Sequence, residues 1–191
     1  MIIQSVIGSS FQFAPPLTGD ALPGALPGIA NETVGLVKRH YPGYHGDDMA
    51  FFDTAVPDDT SIDYTTLINN TGTDYYSVVW TGYFKVPSTG IYRFNISSDD
   101  GSYLWMGNNT ISGFTTSNAI INNGGGHGIT GVNSGYYQLY AGDYYPIRLV
   151  FGEIGGGDYM QFFYELNGSG NFINSGFDSF FVYNSATGDG F

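Results

Sequence analysis

β-Strand alternation is clearest in residues 78–106, which read VVWTGYFKVPSTGIYRFNISSDDGSYLWM. Apolar and polar side chains alternate with a period of two before and after the turn at residues 87–90, which is the pattern of half-buried strands. We expect the flanking strands, 78–86 and 92–97, to pair as a hairpin across this turn, and residues 102–106 to form a third, short strand. This stretch therefore indicates a β-rich domain.

Four more segments continue the pattern along the chain. Residues 136–140 and 144–152 are predicted to form another hairpin, and residues 159–166 and 180–183 to form strands. No window carries apolar residues at helical spacing over three turns. The Gly/Asn-rich stretch 122–135 is predicted to be a long loop, and loops of that length are often functional. The sequence thus predicts an all-β fold, an antiparallel β-sandwich of jelly-roll type with long Gly/Asn-rich loops at one end.

The charge composition excludes two classes of partner. The chain has 17 acidic and 5 basic residues and a net charge of −12, so a nucleic acid or an anionic membrane surface would be repelled. No run of about 18 apolar residues is present, so no membrane insertion is expected. The absence of cysteine excludes disulfides and zinc–thiolate sites. An acidic chain of this kind is compatible with divalent cations and with neutral partners such as sugars.

The first 30 residues differ in composition from the rest. Residues 14–30 are rich in proline and glycine, so we expect 1–30 to be an extended segment that packs on a single domain formed by 31–191. The start lacks the basic and apolar parts of a signal peptide. We therefore expect either an excised domain or another route out of the cell, such as assembly into a virion. The expected location is extracellular, at a cell surface or a virion surface.

Two adjacent carboxylates, Asp99 and Asp100, lie in the tight turn between two predicted strands. Like charges this close repel one another unless a cation lies between them, and Ca²⁺ prefers several hard oxygen ligands. Taken alone, an Asp-Asp-Gly turn is more commonly ordinary turn chemistry with both carboxylates in water. The turn by itself leaves both interpretations open.

A second acidic loop, residues 153–158, strengthens the calcium interpretation. Glu153 and Asp158 bracket three glycines between two predicted strands. Glycines let backbone carbonyls turn inward, and carbonyl oxygens are calcium ligands too. If both acidic loops lie at one end of a sandwich, side-chain and backbone oxygens would converge there. The alternative is a flexible loop with solvated charges.

The strands that flank the first acidic turn resemble a known family. Residues 80–94 and 98–105 resemble the core of the protective-antigen-type domain, the β-sandwich named after an anthrax toxin component. Residues 144–151, with the Gly-rich loop after them, are similar to later strands of GLEYA-type yeast adhesins. Residues 41–52 resemble the early segment more loosely, and the likeness covers roughly 35–185. The chain lacks the cysteines of the yeast adhesins, so disulfide-free bacterial and viral members are the closer analogy.

The resemblance implies a calcium-dependent lectin or adhesin for cell-surface or host attachment. In such lectins two successive Asp residues joined by a cis peptide ligate calcium, a later loop supplies further ligands, and vicinal hydroxyls of a glycan complete the shell. The implied metal ligands are Asp99, Asp100, Glu153, the carbonyls of Gly155 and Gly157, and Asp158. The implied carbohydrate-binding residues are Asp99, Asp100, Gly125, Gly126, His127, Gly156 and Asp158. For the 122–128 stretch, the alternative is a floppy surface loop without a role in binding.

Two alternatives to the lectin interpretation stay open. One is a structural or protein-interaction sandwich of a virion or surface component, and the other is a non-catalytic targeting module of a carbohydrate-active enzyme. An enzyme is not expected. A glycosidase needs two carboxylates of divergent pKa in a cleft, and the adjacent Asp99 and Asp100 are too close together for that role. No Gly-x-Ser-x-Gly elbow is present either. The expected partner is a cell-surface glycan or polysaccharide. Since one shallow site binds weakly, we expect a monomeric domain displayed in many copies or within a larger protein.

Overall fold

β-Strands joined by turns and loops form the framework of the described chain, which covers residues 15–191 of a computed structural model. The strands are β1 (Asp20–Ala21), β2 (Glu32–Val34), β3 (Leu36–Pro42), β4 (Asp59–Asp63), β5 (Ile68–Asn69), β6 (Tyr76–Lys85), β7 (Gly90–Asp99), β8 (Gly101–Met106), β9 (Ile121–Asn123), β10 (Thr130–Leu139), β11 (Tyr144–Glu153), β12 (Tyr159–Leu166) and β13 (Phe181–Asn184). Short 3-10 helices span Met49–Asp53 and Phe177–Ser179. The strands predicted from alternation correspond to β6, β7, β8, β10, β11, β12 and β13.

The strands form two sheets that pack face to face. In the smaller sheet the strand order is β1-β10-β7-β12-β5, and in the larger sheet it is β2-β13-β6-β11-β8-β9. β3 pairs with β6 beside β13 and carries β4 at its outer edge. The pairings are antiparallel except for β1 with β10. The predicted antiparallel β-sandwich is confirmed.

The main core lies between the two sheets. Trp80 and Phe84 of β6 and Leu149 of β11 pack in one cluster with Phe94 of β7 and Phe162 of β12, and all five side chains are fully buried. These residues occupy alternate positions along their strands, so the period-two pattern of the sequence marks the faces that the two sheets turn toward each other.

The outer face of the larger sheet is covered as well. Val79, Trp105 and Val150 form a second apolar cluster there with Met49 of the first 3-10 helix and Phe114 of the β8–β9 connection. As a result β6, β8 and β11 are buried along nearly their whole length on both faces. The three central strands therefore provide a rigid base for the loops at their ends.

Both predicted hairpins are wrong. β6 belongs to the larger sheet and β7 to the smaller one, and β10 and β11 are divided in the same way. Alternation identifies the buried face of each strand, but two strands on opposite sides of one core show the same alternation as two neighbours in one sheet. The turns at 86–89 and 140–143 therefore cross from one sheet to the other instead of closing hairpins.

The predicted long loop at 122–135 is shorter than expected. Residues up to Asn123 belong to β9 and residues from Thr130 belong to β10, so the connection is limited to residues 124–129. β9 pairs with β8 and β10 pairs with β7, and this backbone pairing orders the Asn- and Gly-rich ends of the stretch.

The N-terminal segment lies partly outside the described residues, since the prediction concerned residues 1–30 and the description starts at residue 15. Within the described part, β1 pairs in parallel with β10. Leu26 exchanges two backbone hydrogen bonds with Tyr144, of 2.8 and 2.9 Å. The division into a segment and a domain at residue 30 stays a prediction. Over residues 15–191, no helix has the length and apolar character needed to cross a membrane.

Candidate functional site

Strand register brings three connections together at one end of the sandwich. Gly152 near the end of β11 pairs with Gly101 at the start of β8, which places the β11–β12 loop (residues 154–158) beside the β7–β8 turn at Asp100. Ser102 of β8 pairs with Asn123 of β9, which adds the β9–β10 loop (residues 124–129). We call these three connections, with the side chains that lie between them, the acidic end.

Three carboxylates meet at the acidic end. Oxygen atoms of Asp99, Asp100 and Glu153 all lie within 4.8 Å of one another. Asp99 is half-buried, whereas Asp100 is 6% exposed and Glu153 is 0% exposed. The peptide bond between Asp99 and Asp100 is cis, as the resemblance implies. Two acidic segments about fifty residues apart in sequence thus form one cluster.

Asp100 links the two loops that flank it. The backbone N–H of His127, in the β9–β10 loop, donates to its Oδ1 at 2.7 Å, and the N–H of Ile154, in the β11–β12 loop, donates to its Oδ2 at 2.9 Å. A carboxylate oxygen has two acceptor sites, so each oxygen retains capacity for a further partner. Asp100 is therefore held rigidly in a position from which it can still bind a cation.

Glu153 is a buried carboxyl group with no cationic side chain beside it. Both of its carboxylate oxygens are buried and have no hydrogen-bond partner within the described chain. Burial raises the pKa of Glu153 to about 7, and the charges of Asp100, Asp158 and Asp99 add to the rise, which the backbone N–H of Gly155 offsets only in part. Burial and the neighbouring Asp100 likewise raise the pKa of Asp99. Three mutually repelling acids, one of them a buried carboxyl with no hydrogen-bond partner, form a donor set of hard oxygens that suits a divalent cation.

Asp158 has a different environment from the other acids. Its Oδ1 accepts a hydrogen bond from the N–H of Thr71 at 2.6 Å, and its Oδ2 accepts from the hydroxyls of Thr71 and Tyr76. Burial raises the pKa of Asp158, but these hydrogen bonds outweigh it, so the pKa lies below its ordinary value. The structure thus ties the Asp158 side chain to the β5–β6 connection and to the first residue of β6 rather than bringing it into the cluster of three carboxylates.

The glycines of the β11–β12 loop are exposed. Gly155, Gly156 and Gly157 follow Glu153 directly. Gly156 has φ of +108°, which disfavours any residue with a side chain, and its N–H donates to Asp74 Oδ1 at 3.1 Å. A Cβ at Gly156 or Gly157 would meet no heavy atom of the described residues within 4 Å. The loop is therefore open on its outer side.

The β9–β10 loop is fixed by Asp47, an acid that lies just before the first 3-10 helix. Asp47 Oδ1 accepts from the hydroxyl of Tyr103 at 2.5 Å and from the N–H of Gly125 at 3.2 Å, and its Oδ2 accepts from the hydroxyl of Tyr44 at 2.7 Å. A Cβ on Gly124 would lie 1.8 Å from the Tyr103 oxygen, so any other residue there would have to displace the Tyr103 hydroxyl.

The same loop reaches the carboxylates at two positions. A Cβ on Gly126 would lie 2.9 Å from Ile154 and 3.7 Å from Asp100 Oδ1, which shows how closely the two loops approach. The ring nitrogens of His127 lie 3.0 and 3.1 Å from the carbonyl oxygens of Gly128 and Asn123. His127 is thus tied to its own loop through its ring and to Asp100 through its backbone.

The structure brings together all the candidate residues at one end but gives them different surroundings. Asp99, Asp100 and Glu153 form the cluster, Asp158 lies beside it in its own hydrogen-bond network, and Gly125, Gly126, His127 and Gly155–Gly157 lie in the two flanking loops. Asp47 and Asp74 position those loops, and no motif in the sequence singles them out. The one signal available for Asp47 is its place in the stretch 41–52, which carries part of the resemblance.

Residues 76–165 match the model of a protein family described as GLEYA domain. The match begins at the first residue of β6 and ends within one residue of the end of β12, so it includes the whole acidic end. No curated protein matches the chain in sequence.

Solved structures with the same fold include adhesin domains. The chain is 17% identical to the Epithelial Adhesin 6 A domain of Candida glabrata, crystallised in complex with Galβ1-3GlcNAc, with a TM-score of 0.69 over 90% of this chain and 96% of that one. It is 14% identical to the PA14 domain of the antifreeze protein MpAFP, with a TM-score of 0.61 over 81% and 93%. A PA14 sugar-binding domain from an RTX adhesin is 16% identical, with a TM-score of 0.59 over 78% and 98%. At these identities the likeness shows a common fold.

Proposed function

We propose that this chain is a carbohydrate-binding adhesin domain of the GLEYA type that holds glycan hydroxyls through a calcium ion at the acidic end. The observation that carries the proposal is the orphaned carboxylate of Glu153, buried close to Asp99 and Asp100 with no positive partner among residues 15–191. A bound divalent cation would supply the missing counter-charge.

The ligand set follows from the positions of the oxygens. Carboxylate oxygens of Asp99, Asp100 and Glu153 lie close enough together to bind one ion. Ca²⁺ takes about six to eight oxygen ligands in irregular geometry, so we assign the carbonyls of Gly155 and Gly157 and two vicinal sugar hydroxyls to the remaining positions. Asp158 was expected to be a ligand, but its hydrogen bonds to Thr71 and Tyr76 favour a positioning role.

The sugar would lie over the ion between the two flanking loops. Gly126 and Gly156 are exposed and bear no side chain, so a sugar ring can approach their backbone. Gly125 is held by Asp47 through its N–H. We assign His127 to shaping the loop rather than to direct ligation of the ion, because both ring nitrogens already face carbonyl oxygens. A binding role rather than a catalytic one is proposed for the whole site.

The comparisons with known proteins support this function. Residues 76–165 match the GLEYA domain family. Adhesin domains of the same fold have been crystallised with Galβ1-3GlcNAc and with β-lactose. A domain of this kind would act outside the cell or at its surface, and since one shallow site binds weakly, attachment would depend on display in many copies.

The test is thermal unfolding and glycan-array binding with calcium and with EDTA, on the wild type, Asp100→Asn and Asp143→Asn. Asp143 is a matched control because it precedes β11 at the opposite end of the sandwich. Calcium should raise the Tm of the wild type and of Asp143→Asn but not of Asp100→Asn, since an ion that binds only the folded state stabilises it. Glycan binding should disappear in EDTA and in Asp100→Asn.

Two results would contradict the proposal. A wild-type Tm that does not change with EDTA would exclude the calcium site. Glycan binding that persists in EDTA, or no glycan binding by the folded, calcium-loaded protein, would exclude the calcium-dependent lectin and favour the structural or protein-interaction module instead.

A further inference from the structure

A cavity of about 300 Å³ lies on the outer face of the larger sheet, apart from the acidic end. Two of the five basic residues of the chain line it, Arg39 of β3 and Arg148 of β11. Arg39 pairs with Val79 and Arg148 pairs with Thr81, so the two arginines flank β6 on the same face of the sheet. None of the three clustered carboxylates lines this cavity.

The two guanidinium groups are held by neutral groups. Arg148 donates from Nε to the carbonyl oxygen of Thr110 at 2.9 Å, and its Cζ lies 4.0 Å from the ring centroid of Phe114. Arg39 donates from Nη1 to the hydroxyl of Thr81 at 2.9 Å and from Nη2 to the carbonyl oxygen of Gly188 at 2.5 Å. Both side chains are therefore fixed in place.

Neither guanidinium has a close carboxylate partner. Asp53 and Asp189 also line the cavity, yet among the side chains that the structure describes no carboxylate oxygen lies within 4.0 Å of Arg39 or Arg148. Burial, followed by the charge of Arg39, lowers the pKa of Arg148 to about 10, although Asp53 and Asp189 act in the opposite direction. The Nη atoms of Arg148 donate no hydrogen bond within the described chain. Two guanidinium groups with fixed positions thus face the cavity and retain N–H donors that are free to bind a ligand.

We propose that this cavity binds an acidic monosaccharide, a hexuronate, with its carboxylate on Arg39 and Arg148. The planar guanidinium fork matches the geometry of a carboxylate. Hydroxyl groups of the same ring would donate to Asp53 and Asp189, which accounts for charges of both signs in one cavity. The volume is at the lower end of ligand sites, which suits one sugar ring.

Aromatic side chains complete the match to a sugar. Tyr41 and Phe52 line the same cavity beside Phe114, whose ring is covered by Arg148. An aromatic ring such as Phe52 can pack against the C–H face of a sugar ring while the polar groups bind its edge. A simple anion such as sulfate would use the arginines but neither the aromatic walls nor the two Asp residues. The ligand class is therefore a ring that carries both a carboxylate and hydroxyls.

The test is a titration of the ¹⁵N-labelled protein with sodium galacturonate, followed by amide NMR shifts in EDTA, with galactose as the neutral comparison. EDTA removes calcium from the acidic end, so failure of the proposed lectin function would not affect this result. Galacturonate should give saturable shifts at Asp53, Ile111 and Phe114, which line the cavity, but not at His127 or Ile154 of the acidic end. Galactose should bind at least about tenfold more weakly.

Variants at the two arginines test the assignment. Arg39→Gln should weaken galacturonate binding about tenfold, whereas Lys38→Gln removes the same charge from the opposite face of β3 and should change nothing. Arg148→Lys keeps the charge and loses the fork, so it should also weaken binding. The proposal is overturned if galacturonate gives no saturable shift, if galactose binds equally well, or if Arg39→Gln binds like the wild type with an otherwise unchanged spectrum.

Discussion

Removing the buried charge of Glu153 should stabilise the calcium-free protein. Most substitutions of buried residues destabilise a fold, so the expected sign is unusual and informative. In Glu153→Gln the carboxylate without a partner is replaced by a neutral amide of the same size, whose NH₂ group can donate to Asp99 or Asp100. The same substitution should reduce the rise in Tm that calcium causes, because a charged ligand is lost.

The magnitude follows from the pKa of Glu153, which burial raises from 4.5 to about 7. A carboxyl with a raised folded-state pKa lowers stability as pH increases between these two values, because the unfolded chain releases the proton first. At about 1.4 kcal/mol for each pKa unit, ionised Glu153 costs the calcium-free fold up to about 3 kcal/mol at pH 7.5. At pH 5 the group is mostly protonated in the folded state, and the cost falls below about 1 kcal/mol.

The assay is urea unfolding in EDTA at pH 5 and at pH 7.5. The free energy of unfolding of Glu153→Gln should exceed that of the wild type by up to about 3 kcal/mol at pH 7.5, which corresponds to a Tm about 6–12 °C higher. At pH 5 the difference should be much smaller. Glu165→Gln is the matched control, because Glu165 is equally buried but accepts from the N–H of Gly170 at 2.8 Å and lies 4.0 Å from Arg93. It should lose stability. A Glu153→Gln protein less stable than the wild type, or a difference that is the same at both pH values, would refute the reasoning.

Two further substitutions address the groups around the cluster. Gly124→Ala places a Cβ 1.8 Å from the Tyr103 oxygen and should lower the free energy of unfolding by about 1–3 kcal/mol. It should also weaken glycan binding measured by calorimetry. Gly128→Ala, whose Cβ would meet nothing within 4 Å of the described residues, should leave both unchanged. Thr71→Val removes a hydroxyl donor from Asp158 and should lower the Tm by about 3–6 °C at pH 7. Because that hydrogen bond lowers the pKa of Asp158, the difference in Tm between Thr71→Val and the wild type should become smaller below about pH 4.

The fold class could be predicted because burial of one face is a local property of the sequence. In β6 and β7 the apolar positions recur every second residue, and the two strands form where alternation places them. Their partners could not be predicted in the same way. Whether the chain turns back in one sheet or crosses to the other depends on the backbone path through residues 86–89, where Val86 bonds to the β10–β11 connection through Asp143 and Gly142.

The sequence was sufficient to predict that these acids lie at one end of the sandwich, but not that Glu153 and Asp158 have different surroundings there. In sequence Glu153 and Asp158 are equivalent, since each is an acid at one end of a Gly-rich loop. The structure separates them because Thr71 and Tyr76 satisfy Asp158, whereas Glu153 has no such neighbour. Both neighbours lie more than eighty residues away in sequence, so the difference arises only from tertiary structure.

The crossing connections also determine what a bound ion would do to the fold. The β7–β8 turn, the β9–β10 loop and the β11–β12 loop each join a strand of one sheet to a strand of the other. Asp100 already links two of these connections through the N–H groups of His127 and Ile154. An ion ligated by Asp99, Asp100 and Glu153 would therefore connect the two sheets at the end where their acids repel one another. Because separating the sheets would break that link, its free energy should appear in the unfolding of the whole sandwich rather than in fraying of one loop.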